Sequence, residues 1–139
     1  MIQLIDDQWL GRVLLGADPP IAGADTYTTG YWYVRLCQAV LGATERSGVL
    51  SSPFSALPPR SRAAALEGLL MLPDTIGLLS LRELAPLIGQ LRERHDLNIL
   101  GMEALAAATR LEATVFLSAP SPRLIAALET EGRPATIQT

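Results

Sequence analysis

Asp6 is the residue whose position best suits metal or acid–base chemistry. It ends a short apolar run, residues 2–6, that is typical of a buried strand, and a helical pattern follows at about residues 8–16. Ligands of open α/β sheets bind outside the carboxyl ends of strands, where an aspartate oxygen can hold Mg²⁺. An aspartate before a helix can equally serve as its N-cap. Both roles stay open for Asp6, whereas Asp7 is expected to be a cap or a solvent-exposed acid.

A second junction with chemical potential spans residues 118–123, Ser-Ala-Pro-Ser-Pro-Arg. Ser121 suits the N-cap of the next helix, because Pro122 then occupies the first helical position. Free backbone N–H groups and the helix dipole attract phosphate at such a point, and Ser118, Ser121 and Arg123 would add side-chain donors. An ordinary capped connection between strand and helix would have the same residues. The junction therefore indicates either a phosphate site or a plain turn.

Aromatic residues cluster early in the chain. Four of the seven in the sequence are Tyr27, Tyr31, Trp32 and Tyr33. Positions 31 to 33 lie on three different faces of a helix, so all three cannot enter one core stripe. We expect Tyr31, Trp32 and Tyr33 to contribute to a homodimer contact or the core, and stacking on single-stranded bases is the alternative.

Composition excludes several classes of function. The 11 cationic residues are all arginine and face 14 acids, and this balance argues against broad, nonspecific binding to nucleic acid. A single cysteine, Cys37, excludes an internal disulfide framework and a cysteine-based zinc site. A single histidine, His95, excludes multi-histidine metal chemistry. No targeting or membrane-spanning segment is recognisable, so we expect a cytoplasmic protein without a membrane partner.

The elements that must position these residues alternate between strand and helix. Such alternation predicts one domain over residues 1–139, an α/β fold of three α/β/α layers around a short, mostly parallel sheet. The first strand is expected beside the one near residue 116. The predicted strands lie near 2–6, 76–81, 114–118 and 134–138, and the predicted helices near 8–16, 30–43, 60–70, 82–95, 99–112 and 122–131.

Residues 76–119 resemble the carboxyl half of the PIN-domain ribonucleases, notably the toxins of bacterial toxin–antitoxin pairs. The similarity lies in a short strand, a helix ending Arg-Glu-Arg-His, the alanine-rich run 104–108 and the strand entered by Glu-Ala-Thr-Val-Phe-Leu. The opening Leu-Ile-Asp-Asp-Gln is similar to the family's first strand and first acid. The resemblance implies Mg²⁺ or Mn²⁺ held by three or four acids at the carboxyl edge of a parallel sheet, with RNA as substrate.

Only one of the family's acids has a match in this chain. Asp6 matches the first, while the other positions fall on Tyr33, Gly101 and Ala119. Glu103 lies two residues past Gly101, about 200° around the helix.

Because most of the metal-binding acids are missing, we expect a non-catalytic binding or regulatory module. It would be a homodimer whose partner is RNA or an antitoxin-like protein, and no cofactor is expected. Two alternatives remain: a Mg²⁺- or Mn²⁺-dependent ribonuclease with catalytic Asp6 and Glu103 and with Asp6 as metal ligand, assisted by Asp7, or a binder of a small molecule or nucleotide phosphate at residues 118–123.

Overall fold

The computed structural model describes residues 1–42 and 48–139 and contains a five-stranded parallel sheet. The strands are β1 (Ile2–Ile5), β2 (Asp25–Thr28), β3 (Ile76–Leu78), β4 (Thr114–Leu117) and β5 (Ala135–Ile137). Their order across the sheet is β3-β2-β1-β4-β5, and all pairs are parallel. Strand β1 lies beside β4, with Leu4 opposite Val115. The predicted α/β class and this pairing are confirmed.

Helices cover both faces of the sheet. They are α1 (Asp7–Leu14), α2 (Gly30–Leu41), α3 (Ser52–Ser55), α4 (Pro59–Leu70), α5 (Leu81–Leu91), α6 (Ile99–Leu111) and α7 (Pro122–Thr130). Among the residues that the structure describes, no helix is long and apolar enough to cross a membrane.

The two faces of the sheet carry different helices because side chains alternate along each strand. On one face, Leu4 and Val115 pack with α5, α6 and α7 around the alanine-rich centre of α6. On the other face, Ile5 and Phe116 pack with α1, α3 and α4. Helix α2 serves both sides, since Trp32 belongs to the first cluster and Leu36 to the second. This arrangement confirms the predicted three layers.

Several predicted boundaries are too long. Strand β3 ends at Leu78 rather than residue 81, because Ser80 already caps α5 by accepting a hydrogen bond from the backbone N–H of Arg82. Helix α5 ends at Leu91 rather than residue 95. Residues 92–95 form a turn after it, in which the N–H groups of Arg94 and His95 both donate to the Leu91 carbonyl. The predicted end of α2 at residue 43 lies outside the described residues.

The aromatic segment divides between core and surface. Trp32 is 3% exposed and lies in the core cluster, so its side chain offers no surface to a second copy. Tyr33 is half-buried, and its hydroxyl donates to the Leu69 carbonyl at 2.6 Å, which ties α2 to α4. Tyr31 is also half-buried. Trp32 is thus a core residue, and the expected dimer contact stays a prediction for Tyr31 and Tyr33.

Candidate functional site

Asp6 lies at the carboxyl end of β1 and joins three segments through its carboxylate. It is the N-cap of α1, and its Oδ1 accepts a hydrogen bond from the Trp9 N–H at 2.9 Å. From the adjoining strand end, Ser118 donates its backbone N–H to Oδ2 at 2.7 Å and its hydroxyl to Oδ1 at 3.0 Å. Asp6 is 6% exposed. The carboxylate therefore fastens β1, α1 and β4 together.

The contacts of Asp6 also decide the role of Ser118. Its hydroxyl and its N–H both donate to Asp6, and the residue is buried. A phosphate at this junction would have to replace Asp6 as the acceptor of both bonds. Ser118 therefore acts within the fold, and the predicted group of Ser118, Ser121 and Arg123 does not form around one anion.

Glu103 is fully buried in the middle of α6 and reaches the start of α2. Its Oε1 accepts the Tyr31 N–H at 2.8 Å, and its Oε2 accepts the Gly30 N–H at 3.2 Å. These are two of the first N–H groups of α2, which have no acceptor within the helix. The negative charge also lies at the positive end of the helix dipole. Glu103 is thus a cap supplied to α2 by another helix.

Gly30 permits the close approach between α6 and α2. A Cβ at this position would lie 3.1 Å from the Oε2 atom of Glu103, which is tighter than ordinary contact. The absence of a side chain at Gly30 lets the carboxylate reach the backbone directly. The pairing of Gly30 with Glu103 therefore has a structural purpose independent of any metal.

Asp7 differs from both of these carboxylates. It is the first residue of α1 and is 8% exposed, and its Oδ1 accepts the Gln8 N–H at 2.8 Å. Its Oδ2 atom is buried and has no hydrogen-bond partner among the described residues. Burial raises the pKa of Asp7, Arg35 opposes this effect, and the negative charge of Asp6 adds to it. A buried carboxylate oxygen without a donor is uncommon and calls for an explanation.

Arg35 is the cationic neighbour of Asp7. It lies in α2, and its Nη1 is 3.4 Å from the Oδ2 of Asp7, an ion pair too long for a good hydrogen bond. The Arg35 side chain is 54% exposed. Within the described part of the chain, Asp7 is its only ionic partner. The guanidinium is therefore half in solvent and forms one long ion pair with a described residue.

Asp7 and Arg35 line a cavity of about 370 Å³ at the carboxyl edge of the sheet, which we call the edge cleft. Its lining also includes the apolar residues Trp32, Leu100, Leu117 and Leu124. Ser121 also lines it. Pockets for small ligands have this character, an apolar lining with a few polar groups that fix orientation, and this volume is near the lower end of their range.

The residues of the edge cleft do not suit the Mg²⁺ or Mn²⁺ that the PIN resemblance implies. Mg²⁺ demands near-octahedral oxygen ligands and is usually held by one or two carboxylates with water. The Asp6 oxygens already accept three donors, Glu103 does not line the cleft, and Arg35 supplies positive charge beside Asp7. Across residues 1–42 and 48–139, no three acidic, histidine or cysteine side chains are grouped to hold a metal.

The remaining predicted donors, Ser121 and Arg123, share a cavity beside the edge cleft. Ser121 is the N-cap of α7 without a side-chain capping bond. Arg123 instead donates to the Asp96 carbonyl, with the Asp96 carboxylate 3.7 Å away. Arg123 lines a neighbouring cavity of about 300 Å³ that also contacts Arg35.

Arg35 is the residue that the sequence analysis missed. It lies five residues into α2, so its side chain can extend beyond the helix start toward the sheet edge. Its charge, within a segment otherwise notable for aromatics, is the signal that could have indicated it.

Comparison with known proteins does not assign a function. No protein-family model matches the chain, and none of the curated proteins compared with it is significantly similar. The edge cleft and its unpartnered carboxylate oxygen are therefore the basis for a functional conclusion.

Proposed function

We propose that this chain is a PIN-like binding module that lacks a metal-dependent nuclease centre and takes its ligand in the edge cleft. The observation that carries the proposal is the use of Asp6 and Glu103 as caps inside the fold. These are the two acids from which a variant catalytic site would have to be assembled. The PIN-like character rests on the resemblance of residues 76–119 and on the position of Asp6 after the first strand.

Recruiting these caps to a metal would be costly. A buried backbone N–H left without an acceptor destabilises a protein by about 1–3 kcal/mol. Glu103 satisfies two such groups, and Asp6 satisfies the N–H groups of Trp9 and Ser118. A carboxylate that turned to the metal would forfeit part of this stabilisation.

The edge cleft favours binding over hydrolysis. Activation of water by a metal requires ligands that fix the ion and place the water in line with the phosphate. The cleft offers one buried carboxylate oxygen without a hydrogen-bond donor among the described residues, a half-exposed arginine and several apolar side chains. Such a set can orient a ligand through polar contacts and cover it with apolar surface.

A cleavage assay tests this function. Purified protein is incubated with varied single-stranded RNA and Mg²⁺ or Mn²⁺, beside the variants Asp7→Ala and Glu83→Ala. Glu83 is a matched control because it also lies in the first turn of a helix and pairs with an arginine, Arg110, away from the cleft. We expect no metal-dependent cleavage by any of the three proteins.

Metal-dependent cleavage by the parent and by Glu83→Ala, with loss in folded Asp7→Ala, would overturn the proposal in favour of a ribonuclease. Circular dichroism establishes that each variant is folded. In the absence of cleavage, gel-shift assays with the same RNA and pull-down with a candidate protein partner separate the two kinds of binding module.

A homodimer through the outer face of α2 is part of the same proposal. Val34 and Leu41 are exposed there, seven residues apart and so on one helix face. Val34→Glu is the suitable probe because it leaves the buried Trp32 in place. We expect sedimentation velocity at micromolar concentration to shift toward monomer in this variant, and a monomeric parent protein would contradict the dimer.

A further inference from the structure

We propose that the edge cleft recognises a flat, neutral ligand through a lactam or imide edge, in which an N–H lies beside a carbonyl. The ligand N–H would donate to the Oδ2 of Asp7, and Arg35 would donate to the ligand carbonyl. The inference rests on the proposed function, because it takes the edge cleft to be a binding site.

The first support is the unpartnered oxygen. The Asp7 side chain is 11% exposed, yet its Oδ2 is buried and accepts no hydrogen bond from the described residues. A buried acceptor without a donor is a large penalty that a ligand N–H in the cleft would remove. A ligand that only accepts hydrogen bonds, such as a phosphate, would leave this oxygen unsatisfied and would place its charge near Asp6 and Asp7.

The second support is the long contact that Arg35 makes with Asp7 and the exposure of its side chain. Its Nη1 is 3.4 Å from the Oδ2 of Asp7, and more than half of the side chain is exposed. A small outward movement of the guanidinium would uncover Oδ2 while keeping its N–H groups over the cleft. A cationic ligand would have to expel Arg35 or lie against it, whereas a carbonyl oxygen gives Arg35 an acceptor.

The spacing of the two polar atoms suits this edge. In an amide, the nitrogen and oxygen are about 2.3 Å apart, as the bond lengths of a planar C–N and C=O require. The donor and the acceptor are 3.4 Å apart before the guanidinium moves, and two hydrogen bonds that spread slightly from such an edge can reach them at this separation or a somewhat larger one. Paired bonds of this kind fix the plane of the ligand as well as its position.

The rest of the edge cleft suits a flat, weakly polar ring. Leu100 is half-buried and Ala119 and Pro120 are exposed in its lining, whereas Trp32, Leu117 and Leu124 are at most 4% exposed. No charged side chain lines it from β4, α7 or the connection between them. The polar edge would thus meet Asp7 and Arg35 while the body of the ring contacts apolar surface.

A matched pair of small probes tests the proposal. The probe 1-methyluracil keeps the N3–H between two carbonyls, and 1,3-dimethyluracil replaces that hydrogen with a methyl group. Both are titrated into the full ¹⁵N-labelled chain and followed by amide chemical shifts. We expect saturable shifts confined to the edge cleft at probe concentrations below about 10 mM, as small ligands allow. The dimethyl probe is expected to bind roughly tenfold or more weakly.

Variants connect the probes to the two side chains. In Asp7→Ala, the affinity for 1-methyluracil is expected to fall roughly tenfold, and in Arg35→Met it is expected to fall less, since Asp7 keeps its bond. Glu83→Ala, which removes an acid from an exposed acid–arginine pair outside the edge cleft, should bind as the parent does. Each variant is first shown to be folded by its amide spectrum.

Acidification provides a second measurement. The charged groups that face Asp7 are Asp6, from the preceding residue, and Arg35, from α2. The lining from residues 49–50, from β4 and from α7 contributes no titratable side chain. Protonation of Asp7 replaces a charged acceptor with a neutral carboxyl, which is a weaker acceptor, so the affinity for 1-methyluracil should fall on acidification in the parent and stay level in Asp7→Ala.

Three results would overturn the inference: no saturable shift, equal binding of the two probes, or full binding by Asp7→Ala. The proposed function fails if metal-dependent RNA cleavage is found. None of these three results involves cleavage, so the two failures are distinguishable. With binding established, a further titration with a short oligouridylate separates the sources of the ligand. Tighter binding than the single base indicates a base presented in an RNA strand, and equal binding indicates a free base or similar ring.

Discussion

Among the described residues, three carboxylates lie almost entirely out of solvent, and they divide into two kinds of site. Glu103 and Asp6 accept hydrogen bonds from backbone N–H groups of the elements around them. Asp7 follows Asp6 directly, yet one of its oxygens has no hydrogen-bond partner in the described chain. All three are buried acids. Burial alone therefore does not separate a structural carboxylate from a functional one. The number of carboxylate oxygens that accept a hydrogen bond separates them.

The difference follows from what each carboxylate faces. Glu103 points at the first N–H groups of α2, which need acceptors. Asp6 faces the start of α1 and the end of β4. Asp7 faces a cleft and an exposed arginine, and no described residue donates a hydrogen bond to its Oδ2. An unsatisfied polar group at a cavity wall is the part of a protein that a ligand can complete.

The largest expected effect is the loss of stability in Glu103→Ala. The substitution leaves the N–H groups of Gly30 and Tyr31 buried without acceptors, and each costs about 1–3 kcal/mol. We expect a total loss of about 3–5 kcal/mol in the free energy of unfolding. Urea denaturation followed by circular dichroism measures it.

Glu103→Gln is the matched variant, because it keeps one oxygen for the two donors. Its loss should be smaller, about 1–2 kcal/mol. If Glu103→Ala lowered the free energy of unfolding by less than ~1 kcal/mol, the role of Glu103 as a cap would be wrong. Glu103 could then no longer serve as the structural carboxylate in the comparison with Asp7.

Asp6→Ala should cost about 2–3 kcal/mol, somewhat less than Glu103→Ala. It removes the acceptor of three hydrogen bonds, but Asp6 borders the edge cleft, from which water can replace part of them. Ser118→Ala removes only the hydroxyl bond and should cost about 1 kcal/mol. Denaturation midpoints of the two variants provide the test, and equal losses would show that the backbone bonds of Asp6 contribute little.

The general arrangement of the chain was predictable from alternation and capping residues. Leu4 and Ile5 face opposite layers, as strand periodicity requires. Asp6 serves as the N-cap that local pattern indicated. These features depend on neighbours in sequence, so a single chain reveals them. The short α3 was not predicted, because its residues, Ser-Pro-Phe-Ser, are typical of a loop.

The candidate site was less predictable because its contacts join residues far apart in sequence. Glu103 meets Gly30 and Tyr31 across more than 70 positions. Helix geometry indicated only that Glu103 points away from the side of Gly101, and nothing local revealed the receiving helix. The pairing of Arg35 with Asp7 depends in the same way on how α2 packs against α1. The sequence left Trp32 between the core and an interface, because positions 31 to 33 lie on three helix faces. Helix α2 contacts both layers of the core, which the sequence did not reveal.

The smallest expected effect has the opposite sign and concerns Asp7. Burial raises the pKa of Asp7 despite the opposing effect of Arg35, so its charged form is less stable in the folded chain than in the unfolded chain. Asp7→Asn removes this charge and keeps an oxygen for the Gln8 N–H. We therefore expect the variant to be slightly more stable than the parent at neutral pH, by less than ~1 kcal/mol.

The pH dependence identifies the cause of that gain. Below the ordinary aspartate range near pH 4, Asp7 is protonated in both states and Asn has no advantage. As the pH rises from there through the raised pKa of the folded state, the folded chain binds more protons than the unfolded chain, and the stability of the parent falls relative to the variant. Above that pKa the difference is constant. Urea denaturation of both proteins between pH 3 and pH 7 measures it, and a destabilised Asp7→Asn at neutral pH would show that the pair with Arg35 completes Asp7 without a ligand.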